Sequence, residues 1–217
     1  MALEGSWPVP FILDPQNLAV DAVASFVVSV LLAITINAEA QAFVATFLGD
    51  HRPGAKDRFH FNAFLHLDVL GAATYLVSGF GWPRTMAVDP EKFQRPRLYT
   101  FLVRLAGPVA NILLANIAAS IVALMRGLSF DPRVFNMVVG VNVTTAVYNL
   151  VPLPPLAAGW LLYVLIPDQF AKLKWLFLQV GPFAILALVF LERITHQGIL
   201  SPYLTPLIGT VFKFISG

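Results

Sequence analysis

The sequence predicts an all-α integral membrane protein, a bundle of transmembrane helices with a small inserted hairpin. Of the 217 residues, 58% are hydrophobic and 12% charged, with a mean hydropathy of +0.75. A soluble domain carries about 25% charged residues, so most of this surface has lipid as its solvent. Apolar runs at 21–48, 98–125, 135–151 and 173–191 are separated by stretches that hold most of the Lys and Arg. With no cysteine there is neither a disulfide framework nor a thiolate metal site. A net charge of +2 is too small to indicate nucleic-acid binding, so no nucleic-acid partner is expected.

Residues 1–20 read as an interfacial N-terminal segment. Met1 to Asn17 contains Glu4 and Asp14 but no Lys or Arg, so it lacks the basic start of a signal peptide and is expected to stay on the mature protein. Trp7 and Phe11, beside Pro8 and Pro10, suit a segment resting at the membrane interface.

The membrane core is placed at 21–167. Asp21 to Leu48 is free of Gly and Pro; about 28 residues at 1.5 Å each exceed a hydrocarbon core of ~30 Å, so this helix spans. Gly49-Asp50 stops it, and the polar residues His51, Arg52, Lys56, Asp57 and Arg58 follow. Phe59 to Asp68 partly alternates, and Val69 to Trp82 is too short and Gly-rich to span, which predicts a strand or re-entrant hairpin lying against the bundle. Pro83 to Arg97 forms a second basic loop. Leu98–Met125 and Phe135–Val151 are the second and third spans.

Pro152-Leu153-Pro154-Pro155 breaks the helix inside apolar sequence, because proline removes an amide donor and clashes with the preceding turn. Non-helical backbone at membrane depth is tolerated where it is buried in protein or lines a cavity, so Pro154 and Pro155 mark an interior site. Residues 168–217 read as C-terminal transmembrane and interfacial helices, with a span over 173–191 and a shorter apolar tail over 202–215. The two loops before the second span hold seven Lys or Arg (52, 56, 58, 84, 92, 95, 97) and the next loop holds two. The positive-inside rule places the seven on the cytoplasmic side.

Five pieces, in order, resemble the site-2 protease family of intramembrane zinc metalloproteases. Residues 37–42 followed by Gly49-Asp50 stand where that family has H-E-x-x-H-A and then often L-G-D. Asn62, His66-Leu67-Asp68 and Leu70-Gly71 are similar to N-P-x-x-H-x-D-P-x-G. Gly79-Phe80-Gly81-Trp82, with Val88-Asp89-Pro90 behind it, resembles G-W-x-x-P-V and N-P. Leu105-Ala106-Gly107-Pro108 with Asn111 matches L-A-G-P-x-x-N. Asn142 and Asn149-Leu-Val-Pro152-Leu-Pro154-Pro155-Leu-Ala157-Ala158-Gly159 look like N-L-x-P-x-P-P-L-D-G-G.

The resemblance implies the family's fold. It also implies zinc held by two histidines and an aspartate, with a glutamate as general base. At the matching positions this chain has Asn37, Ala38, Gln41 and Ala157. The expectation is therefore degenerate chemistry: no catalytic residue, no metal ligand, no cofactor, and a pseudoprotease rather than an enzyme. The residue chemistry agrees, because Asn37 and Gln41 share a helix face but offer neutral amides, whereas zinc sites use imidazole, thiolate and carboxylate. Glu39 lies roughly 200° around the helix from both. Losing the base forfeits on the order of 10²–10⁴ in rate, and losing the metal forfeits the low-pKa water.

His51, His60, His66 and His196 have no i,i+4 pairing, and His66 and Asp68 read as hydrogen-bonded structural residues of the hairpin. A carboxylate in the middle of a spanning helix is costly unless paired, so Glu39 is expected to pair with Arg104, the one basic residue inside the second span, or one of them with a partner subunit; the alternative is that Arg104 snorkels. Asn111, Asn142 and Asn149 read as interhelical hydrogen-bonding residues.

The expected function is that of a catalytically inactive homologue acting as an accessory subunit, or helix-binding scaffold, of a larger membrane complex. Its partners are membrane lipid and other transmembrane subunits or helices, and its expected location is a bacterial inner (cytoplasmic) membrane. The alternative is an intramembrane zinc metalloprotease with atypical ligands. A transporter has little support, because intramembrane charges are few and no inverted repeat is visible.

Overall fold

The computed structural model describes residues 19–51 and 59–216. The reading of Met1 to Asn17 as an interfacial segment falls outside them. Among the described residues seven α-helices follow in order: α1 Val20–Phe47, α2 Val69–Ser78, α3 Pro96–Gly127, α4 Arg133–Tyr148, α5 Ala157–Leu165, α6 Ala171–Thr195 and α7 Ser201–Ser216. Three helical stretches, Val20–Phe47, Pro96–Gly127 and Asp168–Thr195, are long and apolar enough to cross a membrane. The chain is an all-α membrane protein.

Helix α1 satisfies its hydroxyls internally. Ser25, Ser29, Thr35 and Thr46 each donate to the carbonyl four residues earlier, which keeps them from demanding partners in lipid. Helix α3 packs against α1, α4, α5 and α7, and α4 packs against α1, α3 and α7. Every residue from Met137 to Tyr148 is buried, which explains why this stretch carries no charge and has no polar face turned outward, its Asn142 being hydrogen-bonded inside the bundle.

The predicted strand is absent. Among the described residues the only extended pairing is an isolated bridge between Leu67 and Pro83, and Val69 to Ser78 is helical. The Asp68 carboxylate caps this helix by accepting from Gly71 N at 2.8 Å, and Gly79 ends it at φ 76°. The glycines that argued against a spanning helix serve a close backbone approach. A Cβ at Gly71 would stand 2.1 Å from Trp82 O, and one at Gly81 2.1 Å from Gly71 O. The 10 residues of α2 reach about 15 Å, half the hydrocarbon thickness. The helix is therefore too short to cross a membrane, in agreement with its reading as a non-spanning segment.

The proline break is built by Asn149. Its Oδ1 accepts from Ala157 N at 3.0 Å, its carbonyl accepts from Ala158 N at 3.0 Å and its Nδ2 donates to Thr145 O at 2.8 Å. One side chain thus closes α4 and opens α5 across the interruption. Helix α6 seats against the break, where a Cβ at Gly181 would stand 2.4 Å from Pro154 O.

Because the opposing atom at Gly181 is backbone, Gly181→Ala should cost about 1–3 kcal/mol through overpacking. The check is a thermal melt of the detergent-solubilised protein. An unchanged midpoint would mean that α6 is not held this close to Pro154.

Candidate functional site

Helices α1, α3 and α4 meet along a chain of buried polar side chains. Arg104 Nη1 donates to Gln41 Oε1 at 2.8 Å, and Gln41 Nε2 donates to Asn37 Oδ1 at 2.8 Å. Asn37 Nδ2 then donates to Asn111 Oδ1 at 2.6 Å, Asn111 Nδ2 to Asn142 Oδ1 at 2.8 Å, and Asn142 Nδ2 to Val138 O at 2.8 Å. Asn111 Nδ2 also reaches Ala33 O at 3.0 Å. All five side chains are buried. A guanidinium can only donate, so every amide downstream of it must present oxygen towards Arg104 and nitrogen away. The carbonyl of Val138 demands the same orientation from the other end.

The side chains meet because they share helix faces: 37 and 41 on α1, and 104, 107 and 111 on α3. Gly107 permits the approach, since a Cβ there would stand 2.3 Å from Asn37 Oδ1. Asn37, Gln41, Arg104, Asn149 and Pro155 come together around a polar cavity of about 20 Å³, room for about one water. Neither Ala38 nor Ala157 is among its lining residues, and both are buried.

Arg104 also borders a larger cleft of about 850 Å³ between α3, α5 and the segment entering α3. Val88, Leu98, Tyr163 and Val164 contribute to its walls, and Arg97, Asp168 and Lys174 sit at an exposed end. The guanidinium lies 4.4 Å from the Trp160 ring centroid, and its Nη2 donates to Met86 O at 2.9 Å. Sequence reasoning missed Trp160; the only available signal was an aromatic one turn past the break.

Glu39 and Arg104 do not pair. Glu39 faces the opposite side of α1, where its carboxylate accepts from the backbone N–H groups of Phe59, His60 and Phe61 at 2.8, 2.8 and 2.9 Å. His66 Nε2 lies 3.0 Å from Oε1, and both side chains are 4% exposed. Consecutive N–H groups wrapped on one anion form a nest. It offsets the positive φ of Phe59 (56°) and Phe61 (48°), unusual for aromatic residues. The pairing expectation failed because a carboxylate can be satisfied by amides as well as by a cation. His66 thus ties its segment to α1, while Asp68 accepts from Trp82 Nε1 at 3.1 Å as well as capping α2. Asp50, fully buried, accepts from Asp89 N at 3.0 Å and pins the loop before α3.

No family model and no solved structure matches the chain. Over 150 residues it is 33% identical to "Putative zinc metalloprotease YwhC" of Bacillus subtilis (strain 168), covering 65% of this chain and 68% of that protein. The chain belongs to the YwhC family. The expectation that it is no enzyme is corrected by this relative, whose description points to a protease. The YwhC name also implies zinc, and the residues at this face do not fit one. The Asn37 and Gln41 oxygens already accept hydrogen bonds, the second from a cation that would repel a metal ion, and alanines stand at 38 and 157. Among the described residues no group of three His, Asp or Glu is placed to hold a metal.

Glu39→Gln turns an amide NH₂ towards backbone donors and should cost at least about 1.5–3 kcal/mol, with the melting midpoint falling by roughly 5 °C or more. Proteolysis at 59–66 should accelerate in parallel. Unchanged melting and proteolysis together would remove Glu39 as the anchor.

Proposed function

We propose that the cleft beside Arg104 holds a short extended stretch of another membrane protein, and that the chain works as a segment-binding member of the YwhC family within a larger membrane complex. The observation that carries this reading is the cleft itself. Its 850 Å³ fall within the range of about 300–1,000 Å³ that encloses a compact ligand. Its walls are apolar while its floor and mouth carry fixed charges, the pattern that gives affinity from burial and orientation from a few polar groups. An intact helix, about 10–12 Å across with its side chains, would dock outside and feed in an unwound end. Small residues and buried polar groups would hold it, since lipid supplies no hydrophobic drive between helices.

The sequence between the first two long helices, which carries seven Lys or Arg, would face the cytoplasm of a bacterial inner membrane. The relative's description favours a second reading, in which the bound segment is also cut. Zinc in the purified protein together with cleavage of the captured segment would support it.

The chain has no cysteine, so a single Leu98→Cys at the cleft wall gives a clean crosslinking handle. With an affinity tag after Gly217 and a mild detergent, the particle should run well above the 23.7 kDa monomer and contain a stoichiometric partner that the introduced thiol captures. A free monomer with nothing captured at position 98 sinks the reading.

A further inference from the structure

The outward side chains of a spanning helix face lipid, and on α3 one of them is an amide. Asn116 is exposed, and its Nδ2 donates to Ile112 O at 2.9 Å. That contact uses one N–H. The second N–H and the Oδ1 meet no partner among the described residues. Arg126, the exposed cation of the last turn, places the bilayer surface near the end of α3, because long cationic side chains reach for the headgroups. At 1.5 Å per residue Asn116 lies about 15 Å before it, half of a hydrocarbon core of ~30 Å. No water is present at that depth to satisfy an amide, so a free donor and acceptor there are costly.

The neighbours of Asn116 leave room for a second helix. Ser120, one turn on, donates its hydroxyl to Asn116 O at 3.0 Å and so needs no partner in lipid. Ala123 follows on the same face, and both residues are exposed. Small side chains let another backbone come close. Gln179 on α6 is exposed as well, but Trp175 and Phe183, 62% and 61% exposed, stand one turn to either side and keep a second backbone away.

We infer that α3 pairs through Asn116 with α3 of a second copy of this chain. An amide carries both a donor and an acceptor, so it complements itself. Across a two-fold axis along the membrane normal, each Nδ2 gives its remaining N–H to the Oδ1 of the other copy and keeps its bond to Ile112 O. A second copy inserts in the same orientation and therefore holds its amide at the same depth, which makes it the occupant that this complementarity selects. The pairing does not rest on the segment-binding reading. Asn116 lies about 18 Å along α3 from Arg104 and about 180° around the helix from Gly107, so the dimer leaves the cleft open.

The test uses purified full-length protein in phosphatidylcholine vesicles, where copies of this chain are the only protein. The chain has no cysteine, so Ser120→Cys introduces a single thiol one turn from the amide. Mild oxidation should give a band at twice the 23.7 kDa monomer, whereas Leu32→Cys, 43% exposed on α1, should stay monomeric. Energy transfer between copies labelled after Gly217, followed as protein is diluted into lipid, gives the dissociation constant. Asn116→Leu should raise it about tenfold, Asn116→Gln should keep most of the association, and Gln179→Leu should leave it unchanged. Position 116 faces outward, so the monomer should melt as before in all three variants.

Absence of energy transfer at every dilution overturns the dimer, and equal crosslinking at positions 32 and 120 marks random collision and overturns it too. Association that Asn116→Leu leaves intact, or that Gln179→Leu alone disrupts, overturns the assignment to this face of α3. The thiol at position 120 should also capture a second copy in native membranes. Capture of a different polypeptide in its place overturns the second copy as the occupant.

Discussion

A buried guanidinium has five donors and no acceptor, and the polar interior of this bundle is arranged around that fact. Arg104 fixes which way Gln41 points, Gln41 fixes Asn37, Asn37 fixes Asn111 and Asn111 fixes Asn142. Hydrogen bonds aligned in one direction polarise each other, and in a low-dielectric interior each loss exposes a neighbour. The chain crosses from α3 to α1, back to α3 and on to α4, so it joins three helices that lipid alone would not hold together. Individual hydrogen bonds between membrane helices contribute about 0.6 kcal/mol on average. The significance of this set lies in its register, because a slip of one residue on α1 or α3 would leave several buried amides unsatisfied at once.

Helix α1 carries two polar faces with different tasks. Asn37 and Gln41 turn inward to α3, while Glu39 turns to the opposite side and gathers the 59–66 segment through three backbone amides and His66. That segment leads through Leu67 to α2, and Leu67 bridges Pro83 where the chain returns. The return strap carries Met86, whose carbonyl accepts from Arg104. The Glu39 anchor and the Arg104 chain therefore meet through the strap, one on each side of α1.

The sequence made the membrane class legible because lipid imposes composition: long apolar runs, sparse charge, and a proline break tolerable only inside protein. It made the Asn positions legible for a related reason, since an amide in an apolar span needs a partner. At 69–82 the length and the glycines excluded a span, but the reading of a strand or re-entrant hairpin missed the short helix α2, because Gly71 and Gly81 serve a backbone approach that only the tertiary structure reveals. The sequence misled on Glu39 and Arg104, which are complementary in charge but sit on opposite faces of α1. The geometry for this was already in the sequence, because 39 lies roughly 200° from 37 and 41 while Arg104 belongs with the latter pair. Trp160 carried no sequence signal beyond its place one turn after Ala157.

The YwhC relationship and the chemistry of the 37/41 face meet at Gly107. With 104, 107 and 111 on one face of α3, the glycine brings Asn37 within hydrogen-bonding distance of Asn111 and Gln41 within reach of Arg104. A metal at this face would need the same amide oxygens and the same space that the guanidinium chain uses, so the two arrangements exclude each other at one position. Arg104, however, does not terminate in that chain. It borders both the 20 Å³ cavity and the 850 Å³ cleft, and its stacking on Trp160 ties its position to α5. Any occupant that shifts Arg104 or Trp160 must therefore act on the hydrogen bonds linking α1, α3 and α4. The bundle's packing and any occupancy of the cleft would then be thermodynamically linked through this one side chain.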